Sequence, residues 1–580
     1  MSLTQLLVQR FKDAFVQAFG SDYAHMDPLI RPTQDPRFGD FQANFAMGLA
    51  KTLKRNPREV ATQVCDCLQL DDLCESVDIA GPGFVNVRFS AAALCRYCLQ
   101  LAGDERLGIR VTEQPQTVVV DYSGPNVAKE MHVGHLRSTI IGDAIARTLE
   151  FQGHKVIRQN HVGDWGTQFG MLIENLLDKG WSADANAAYG DLNALYQESK
   201  QRFDADEEFK ARSRERVVAL QGGDPQSVAI WKSLVELSER YFSSVYQQLD
   251  VTLSNDHIRG ESSYNKHLSQ TVEQLQQQQL ATLDQGAQVV HLPDVAEIPL
   301  IIQKSDGGYL YATTDLACLE YRLHTLNAHR VIYVTDARQI QHFAMVFATA
   351  QKAGWVGDSS LEHVPFGSVL GEDGKPFKTR SGEVVRLIDL IDEAKRRATE
   401  VVKEKNPGLT SDEQDNIAAT VGIGAIKYAD LSGDRIKDYV FSWSRMLAME
   451  GNTAPYIQYA YTRVRSIFRK ALEGSAGQFD PSTLTPEQLT MVHDAEKALC
   501  LKLSQFSGSV DSVASSLEPH RLCNYLFELA TAFSTFFEAC PVIKADSDNS
   551  RITRMLLCDV TASTIKLGLQ LLGIRVLEKM

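Results

Sequence analysis

Two histidines separated by a valine and a glycine, His132-Val-Gly134-His135, are the residues whose types and spacing point most directly to chemistry. Imidazole can donate to phosphate or ribose oxygens. A glycine between two such rings lets a phosphate approach the backbone closely. Two plainer readings compete. A zinc pair needs a third ligand with supporting spacing, and no clear one lies nearby. A pair of core histidines leaves Gly134 unexplained. A second cluster is basic: Gly374-Lys375-Pro-Phe-Lys378-Thr-Arg380, flanked by Gly371, Gly374 and Gly382. Beside the histidine motif, its cations suit a phosphate group. The competing reading is a solvated basic hairpin turn.

These groups need a frame to hold them. Val118-Val-Val120 runs into the segment from below, and Leu136, Ile140, Ile141, Ala144, Ile145 and Leu149 follow at helical period. The histidines therefore fall where a strand hands over to a helix, beside free N–H groups and the positive end of the helix dipole. Gly153 closes the helix and Lys155-Val-Ile-Arg158 supplies a second strand. That makes one βαβ unit of a parallel sheet with a right-handed crossover. Residues 173–295 are polar and Gln/Glu/Lys-rich and predict a mainly helical insertion. Within its glutamine run, Leu275 and Leu280 keep some periodicity. The parallel pattern resumes with an apolar strand at 298–302, another at 329–336, and a helix at 340–353. A sheet split in this way binds ligand beyond the carboxyl ends of its strands.

The expected fold is α/β: a Rossmann-like parallel-sheet catalytic domain split by an insertion, with an N-terminal α+β domain and a C-terminal all-α helical-bundle domain. The domains are expected at 1–112, 113–385 with the insertion at 173–295, a connecting helical region at 386–450, and a helical domain at 451–580. In the first, helices are predicted at 2–20 and 39–70 and a strand at 83–89. Thr453 and Pro455 predict the start of a long helix in the last.

Bulk properties bound the rest. A chain of 580 residues is too long for one core, and 44% hydrophobic with 23% charged residues fits a globular protein. No stretch approaches the ~20 apolar residues needed to span a bilayer. The N-terminus alternates apolar and charged residues like an amphipathic helix rather than a signal peptide, so a cytoplasmic protein is expected. The ten cysteines include a cluster at Cys65, Cys67, Cys74, Cys95 and Cys98. Only one pair there has Cys-x-x-Cys spacing, so reduced thiols and no metal site are expected. A net charge of −14 argues against a sequence-independent polyanion binder; a nucleic-acid partner would need a local basic patch.

Longer motifs carry a resemblance. Ser123-Gly-Pro-Asn-Val-Ala-Lys-Glu-Met-His-Val-Gly-His-Leu-Arg-Ser138 is followed by His161-Val-Gly-Asp-Trp-Gly-Thr-Gln-Phe-Gly170 and Tyr309-Leu-Tyr-Ala-Thr-Thr-Asp315. The basic loop and Thr453-Ala-Pro-Tyr-Ile-Gln-Tyr-Ala-Tyr-Thr-Arg463 come next. In this order, over nearly the whole chain, the sequence resembles the class I aminoacyl-tRNA synthetases, and most closely the bacterial arginyl-tRNA synthetases. The resemblance implies a ligase that attaches L-arginine to its tRNA through an arginyl-adenylate. The carboxylate attacks the α-phosphate of ATP, and transfer follows to the 2′-hydroxyl of the terminal adenosine. It implies ATP as substrate with Mg²⁺, no dedicated metal cage, and a monomer as the family norm.

Site residues follow from the matched motifs. His132, His135, Lys129, Lys375 and Lys378 match catalytic positions, with Gly134 beside the nucleotide. Ser123, Asn126, His132, Tyr311, Asp315 and Gln339 match the arginine site, where a carboxylate can pair with the donor fork of a guanidinium. A helix cap is the plainer role for Asp315. The family usually carries Lys-Met-Ser-Lys-Ser at the basic loop. Alignment on Lys375 keeps both lysines. Alignment on Thr379-Arg380 displaces the second, and the family then relies on an upstream lysine that Lys129 matches. Both registers stay open. For tRNA the resemblance implies a D-loop contact at Phe84 and Asn86 and anticodon contacts at Tyr456, Tyr459 and Arg463, with Tyr461 and Arg465 alongside. An aromatic helix face is as readily core. Two alternatives remain: another class I activity, such as cysteinyl or glutamyl transfer, and a non-catalytic tRNA-binding paralogue.

Overall fold

The computed structural model describes residues 2–33, 35–181, 192–377, 385–405, 407–473 and 479–580. Its centre is a five-stranded parallel sheet. Thr117–Asp121 lies in the middle, with Lys155–Val162 and then Ile258–Gly260 on one side and Arg330–Asp336 and then Ser360–Phe366 on the other. Val118, Val119 and Val120 are completely buried. A β-branched run without polar alternation is what a strand covered on both faces requires. Chain order reverses between Thr117–Asp121 and Arg330–Asp336, so a crevice opens beyond Asp121 and Asp336, where such sheets take ligand.

The helix Val133–Phe151 leaves this crevice and is buried nearly all round, not only along the apolar stripe that its sequence shows. Its polar side chains must then find partners inside the protein. Ser138 donates to the Val334 carbonyl (2.7 Å) and accepts from the Ser123 N–H (2.9 Å), joining both central strands to the helix. Asp143 accepts from Arg147 (2.7 Å) and from the Thr252 N–H (2.9 Å). Arg137 is the largest of these groups. Its Nε lies 3.2 Å from Asp430 of the helix Ser411–Leu431, and its Nη1 donates to the carbonyls of Gly367 (2.6 Å) and Lys437 (3.2 Å).

The chain makes two excursions from the sheet. Helices Thr167–Asp178, Leu192–Ala205, Glu207–Gln221 and Pro225–Gln248 form the first, and the chain then returns to pair Ile258–Gly260 with Asn160–Val162. That edge strand lies inside the segment expected as one insertion. Three residues with a terminal glycine carry no strand signature, and pairing alone makes them one. The second excursion corrects the strand expected at 298–302. The apolar run forms Leu300–Gln303, antiparallel to Ala287–Val290, which pairs with Ala281–Asp284 in a separate small sheet. Ile301 is 40% exposed there while Leu300 and Ile302 are buried, the alternation of a half-covered strand. The glutamine run ends the helix Leu268–Gln277, with Leu275 fully buried.

At the N-terminus a four-stranded antiparallel sheet runs in the order Ile30–Pro32, Phe41–Ala43, Phe84–Phe89, Cys74–Ala80. The helix expected at 39–70 is instead a strand followed by two helices, Ala46–Leu53 and Pro57–Cys67. Lys54 in the left-handed conformation ends the first, and Asn56 and Pro57 start the second. At the C-terminus the helix Ala454–Glu473 starts where Thr453 accepts the Tyr456 N–H, and it packs with helices His520–Ala539 and Asp548–Leu571. Among the described residues no helix is long and apolar enough to cross a membrane.

The Arg137–Asp430 pair makes a testable demand on this architecture. Asp430→Asn leaves a buried guanidinium without its counter-charge, at a cost of about 3–5 kcal/mol. The expected outcome is a lower urea midpoint for the whole chain.

Candidate active site

The histidine motif caps its own helix. His132 sits at the N-cap in extended conformation, and its Nδ1 accepts the Gly134 N–H at 3.0 Å. The His132 N–H donates in turn to Nδ1 of His135, also at 3.0 Å. Two orphan N–H groups of the first turn are thereby satisfied by imidazoles rather than by the usual Ser and Glu pair. The ring centroids lie 3.9 Å apart. Because each Nδ1 is an acceptor, each neutral ring carries its proton on Nε2, the nitrogen free to donate to a ligand. Burial lowers both pKa values, helped by the positive charge of Lys129, and brings His135 to about 3. Both rings are therefore neutral near pH 7, with Nε2–H groups free to donate.

Gly134 is tightly packed by its own motif. A Cβ there would meet Cε1 of His132 at 2.8 Å. The glycine makes room first for the imidazole folded over it.

Both rings line a cavity of about 570 Å³ at the strand ends, together with Ser123, Asn126, Tyr311, Asp315 and Gln339. Ser123 and Gly124 turn the chain with φ of 78° and 53°. The Ser123 hydroxyl is engaged by Tyr246 (2.7 Å) and by Thr139 (2.9 Å). Asn126 bridges to Gly163, where a Cβ would meet the Asn126 Oδ1 at 2.3 Å. Tyr311 opens the helix Tyr311–Glu320 and is 72% exposed on the cavity lip. Asp315 stands one turn further in, so it is not the helix cap; Leu310 is at that position. Gln339 precedes the helix Ile340–Lys352 on the opposite wall.

Three residues of this cavity escaped the motif reading. Glu261 follows the short edge strand. Burial raises its carboxyl to about 7; His161 opposes the shift, and Asp315 and Asp164 add to it. His342 holds Asp315 through Nε2–Oδ2 at 2.6 Å. Arg338 pairs with Asp336 at 2.8 Å. No local pattern marks Glu261, because its strand is invisible in sequence. His342 could have been found, since it lies three residues after Gln339 and hence on the same helical face.

The lysines are more scattered. Lys129 places its ammonium 4.6 Å from the ring centroid of Tyr196 in the helical excursion, yet its charge reaches both histidines. Lys375 is exposed in a tight turn where the Gly371 N–H donates to its carbonyl at 2.7 Å. Lys378, Thr379 and Arg380 lie outside the described residues. In the N-terminal domain Asn86 is buried and accepts from Gln42 (2.8 Å), and Phe84 is half-buried. On the C-terminal helix Tyr459 is 43% exposed, and Arg463 lies over the Phe537 ring at 4.3 Å. Both line a cavity of about 350 Å³ with Arg469 and Lys579. Tyr456 leans on Phe527. Tyr461 and Arg465 both bind Glu578, at 2.7 and 2.8 Å, and clamp the chain end.

Three family models match the chain. Residues 99–443 match "tRNA synthetases class I (R), catalytic domain". Residues 457–580 match "DALR anticodon binding domain", and residues 3–89 match "Arginyl tRNA synthetase N terminal domain". The arginine–tRNA ligase of Thermobifida fusca is 51% identical over 582 residues, covering 99% of each chain. That of Cellvibrio japonicus is 50% identical over all of both chains. Among solved structures, the arginyl-tRNA synthetase of Plasmodium falciparum superimposes with a TM-score of 0.85 at 32% identity, over 100% of this chain and 99% of the other. The enzyme of Thermus thermophilus does so with 0.81 at 25% identity, over all of both chains.

The crowding at Gly134 separates stability from activity. Gly134→Ala improves helix propensity by up to about 1 kcal/mol but pushes His132 off its N-cap. Thermal stability is expected to change little, the lost cap offsetting the gain in propensity, while turnover in pyrophosphate exchange falls by about 10²-fold, the usual loss of one oxyanion donor.

Proposed function

The chain belongs to the arginyl-tRNA synthetases, and from that premise we propose how its own residues carry out the reaction. It is a ligase that joins L-arginine to its tRNA with cleavage of ATP. The observation that carries the residue-level reading is one cavity lined at once by two neutral Nε2–H donors and by two acids, Glu261 and Asp315, that have no arginine or lysine partner among the described residues, unlike Asp121 and Asp336 beside them.

In the first step a carboxylate oxygen of arginine attacks the α-phosphorus. The new P–O bond forms as the bond to the β-phosphate oxygen breaks, and pyrophosphate leaves. Charge builds on a five-coordinate phosphorus, so the protein contributes positioning and fixed dipoles more than covalent chemistry. His132 and His135 donate to the nucleotide at the helix N-terminus. Lys129, Lys375 and Lys378 supply cations for the leaving pyrophosphate. Mg²⁺ bound with ATP would supply further neutralisation of the phosphate charge. In the second step the 2′-hydroxyl of the terminal adenosine attacks the arginyl carbonyl, and AMP departs.

Selection of arginine falls to Asp315 and Glu261, with Tyr311 packing on the flat cation, and to Ser123, Asn126 and Gln339 at the amino-acid end. A lysine or a neutral urea analogue leaves these carboxylates poorly paired, so discrimination needs no editing site. Exposed Tyr459 beside Arg463, Arg469 and Lys579 suits unstacked anticodon bases, a local basic patch on an acidic protein. For the D-loop the half-buried Phe84 is the accessible member of its pair, and the buried Asn86 backs the strand through Gln42. The enzyme works as a monomer in the cytoplasm.

Pyrophosphate exchange with each of the twenty amino acids, with and without tRNA, tests the reading. Exchange is expected with arginine alone and only when tRNA is present; exchange with glutamate or glutamine would end it. Asp315→Asn should raise the KM for arginine by the equivalent of about 2–5 kcal/mol and leave ATP binding intact. Equal loss of both would give Asp315 a structural role only. A pH series tests Glu261. Its carboxyl titrates at about 7 in the empty site, and only the ionised form attracts a guanidinium. The KM for arginine should therefore climb as pH falls below that value, and Glu261→Gln should remove that slope while raising the KM throughout.

A further inference from the structure

Asp315 is held by a single side chain. Its Oδ2 accepts from Nε2 of His342 at 2.6 Å, and its Oδ1 carries no hydrogen bond among the described residues. A carboxylate at the end of a short side chain has a broad, two-fold torsion, so one bond decides which oxygen faces the cavity and in which plane. His342 comes from a different element, the helix Ile340–Lys352, which packs against the helix Tyr311–Glu320 that carries Asp315. Its own position is fixed. The next residue, Phe343, is buried, with its ring 4.7 Å from Tyr333 and 4.9 Å from His363. His363 in turn contacts Thr335 at 2.8 Å at the end of the central sheet. The imidazole therefore transmits the position of the sheet edge to the carboxylate.

We propose that His342 is the positioning residue for Asp315, and that this one bond sets the preference of the site for arginine over lysine. The proposal rests on Asp315 as the guanidinium partner. A guanidinium presents its donors in a rigid planar fork and needs a carboxylate held in the matching plane. An ammonium is a compact charge with three rotatable donors and tolerates a carboxylate in many planes. Freeing Asp315 therefore costs arginine far more than lysine. A residue that only filled space would weaken both alike.

The test uses the full-length enzyme with tRNA. His342→Phe keeps the ring and removes the hydrogen bond; His342→Gln keeps a donor at similar reach. Arginine is followed as substrate and lysine as competitive inhibitor in pyrophosphate exchange, with the KM for ATP measured beside them. His342→Phe is expected to raise the KM for arginine about tenfold, equal to about 1.4 kcal/mol. The Ki for lysine and the KM for ATP should stay within about twofold, and His342→Gln should recover most of the loss. In an Asp315→Asn background His342→Phe should add almost nothing, because the two residues act as a unit. Parallel loss for arginine and lysine, failure of glutamine to rescue, or additive effects would each overturn the proposal. If Asp315→Asn alone leaves the KM for arginine unchanged, the guanidinium reading fails first, and this inference falls with it.

Discussion

Burial of the helix Val133–Phe151 is the constraint on which the rest of the structure depends. A helix covered on every side cannot leave a polar side chain without a partner, since an unpaired buried group costs about 1–3 kcal/mol. Each partner therefore fixes a neighbouring element. Arg137 ties in the helix Ser411–Leu431 and the backbone after Phe366. Ser138 ties in both central strands. Asp143 ties in Thr252 at the end of the helical excursion, and Lys427 donates beside it to the carbonyls of Leu249 (2.8 Å) and Asp250 (3.2 Å). Cover gives out at the two ends of the helix, at Glu150 in the last turn and at Gly134 in the first. That turn carries His132 and His135, so the position of the site follows from where the burial stops.

The same demand for pairing makes the cavity chemically legible. Asp121 is answered by Arg322 at 2.8 Å and Asp336 by Arg338. Asp164 accepts the Ser262 N–H at 2.8 Å and the Ser262 hydroxyl at 2.6 Å. These acids are already satisfied. Asp315 meets an imidazole through one oxygen, and Glu261 meets no permanent cation among the described residues. Burial disfavours a charged Glu261 and the neighbouring Asp315 adds to that cost against the opposing His161, so Glu261 holds a proton up to about 7. A cationic ligand relieves that cost, so the pair selects for the charge and shape of what enters.

Several features were open to inspection in the sequence because they are local. The valine run at 118–120, the helix period after His135 and the Thr453 cap each depend on neighbours within a few residues. The histidine spacing was visible too, but its mechanics were not. Gly134 was expected to admit phosphate, and nothing in the spacing showed that it also makes room for the His132 ring. Glu261 was hidden because three residues become a strand only when Asn160–Val162 lies beside them. The apolar run at 298–302 looked like a strand of the parallel sheet because periodicity carries no information about which sheet will pair with it.

What the sequence by itself determined is therefore the set of chemical groups, their order, and the elements that bear them: strand, imidazole-capped helix, and helical C-terminal segment. Such features follow from side-chain period and capping preference, which act over a turn or two. Only the tertiary structure decided that Glu261, Asp315, Gln339 and His342 share one cavity with the histidines, and that Arg137 and Asp143 are locked while Asp315 is half free. Those relations join residues well separated in the chain, from 27 positions for Asp315 and His342 to 293 for Arg137 and Asp430. They are set by which sheet edge each excursion returns to and by the need of every buried charge for a partner, and no local pattern encodes either.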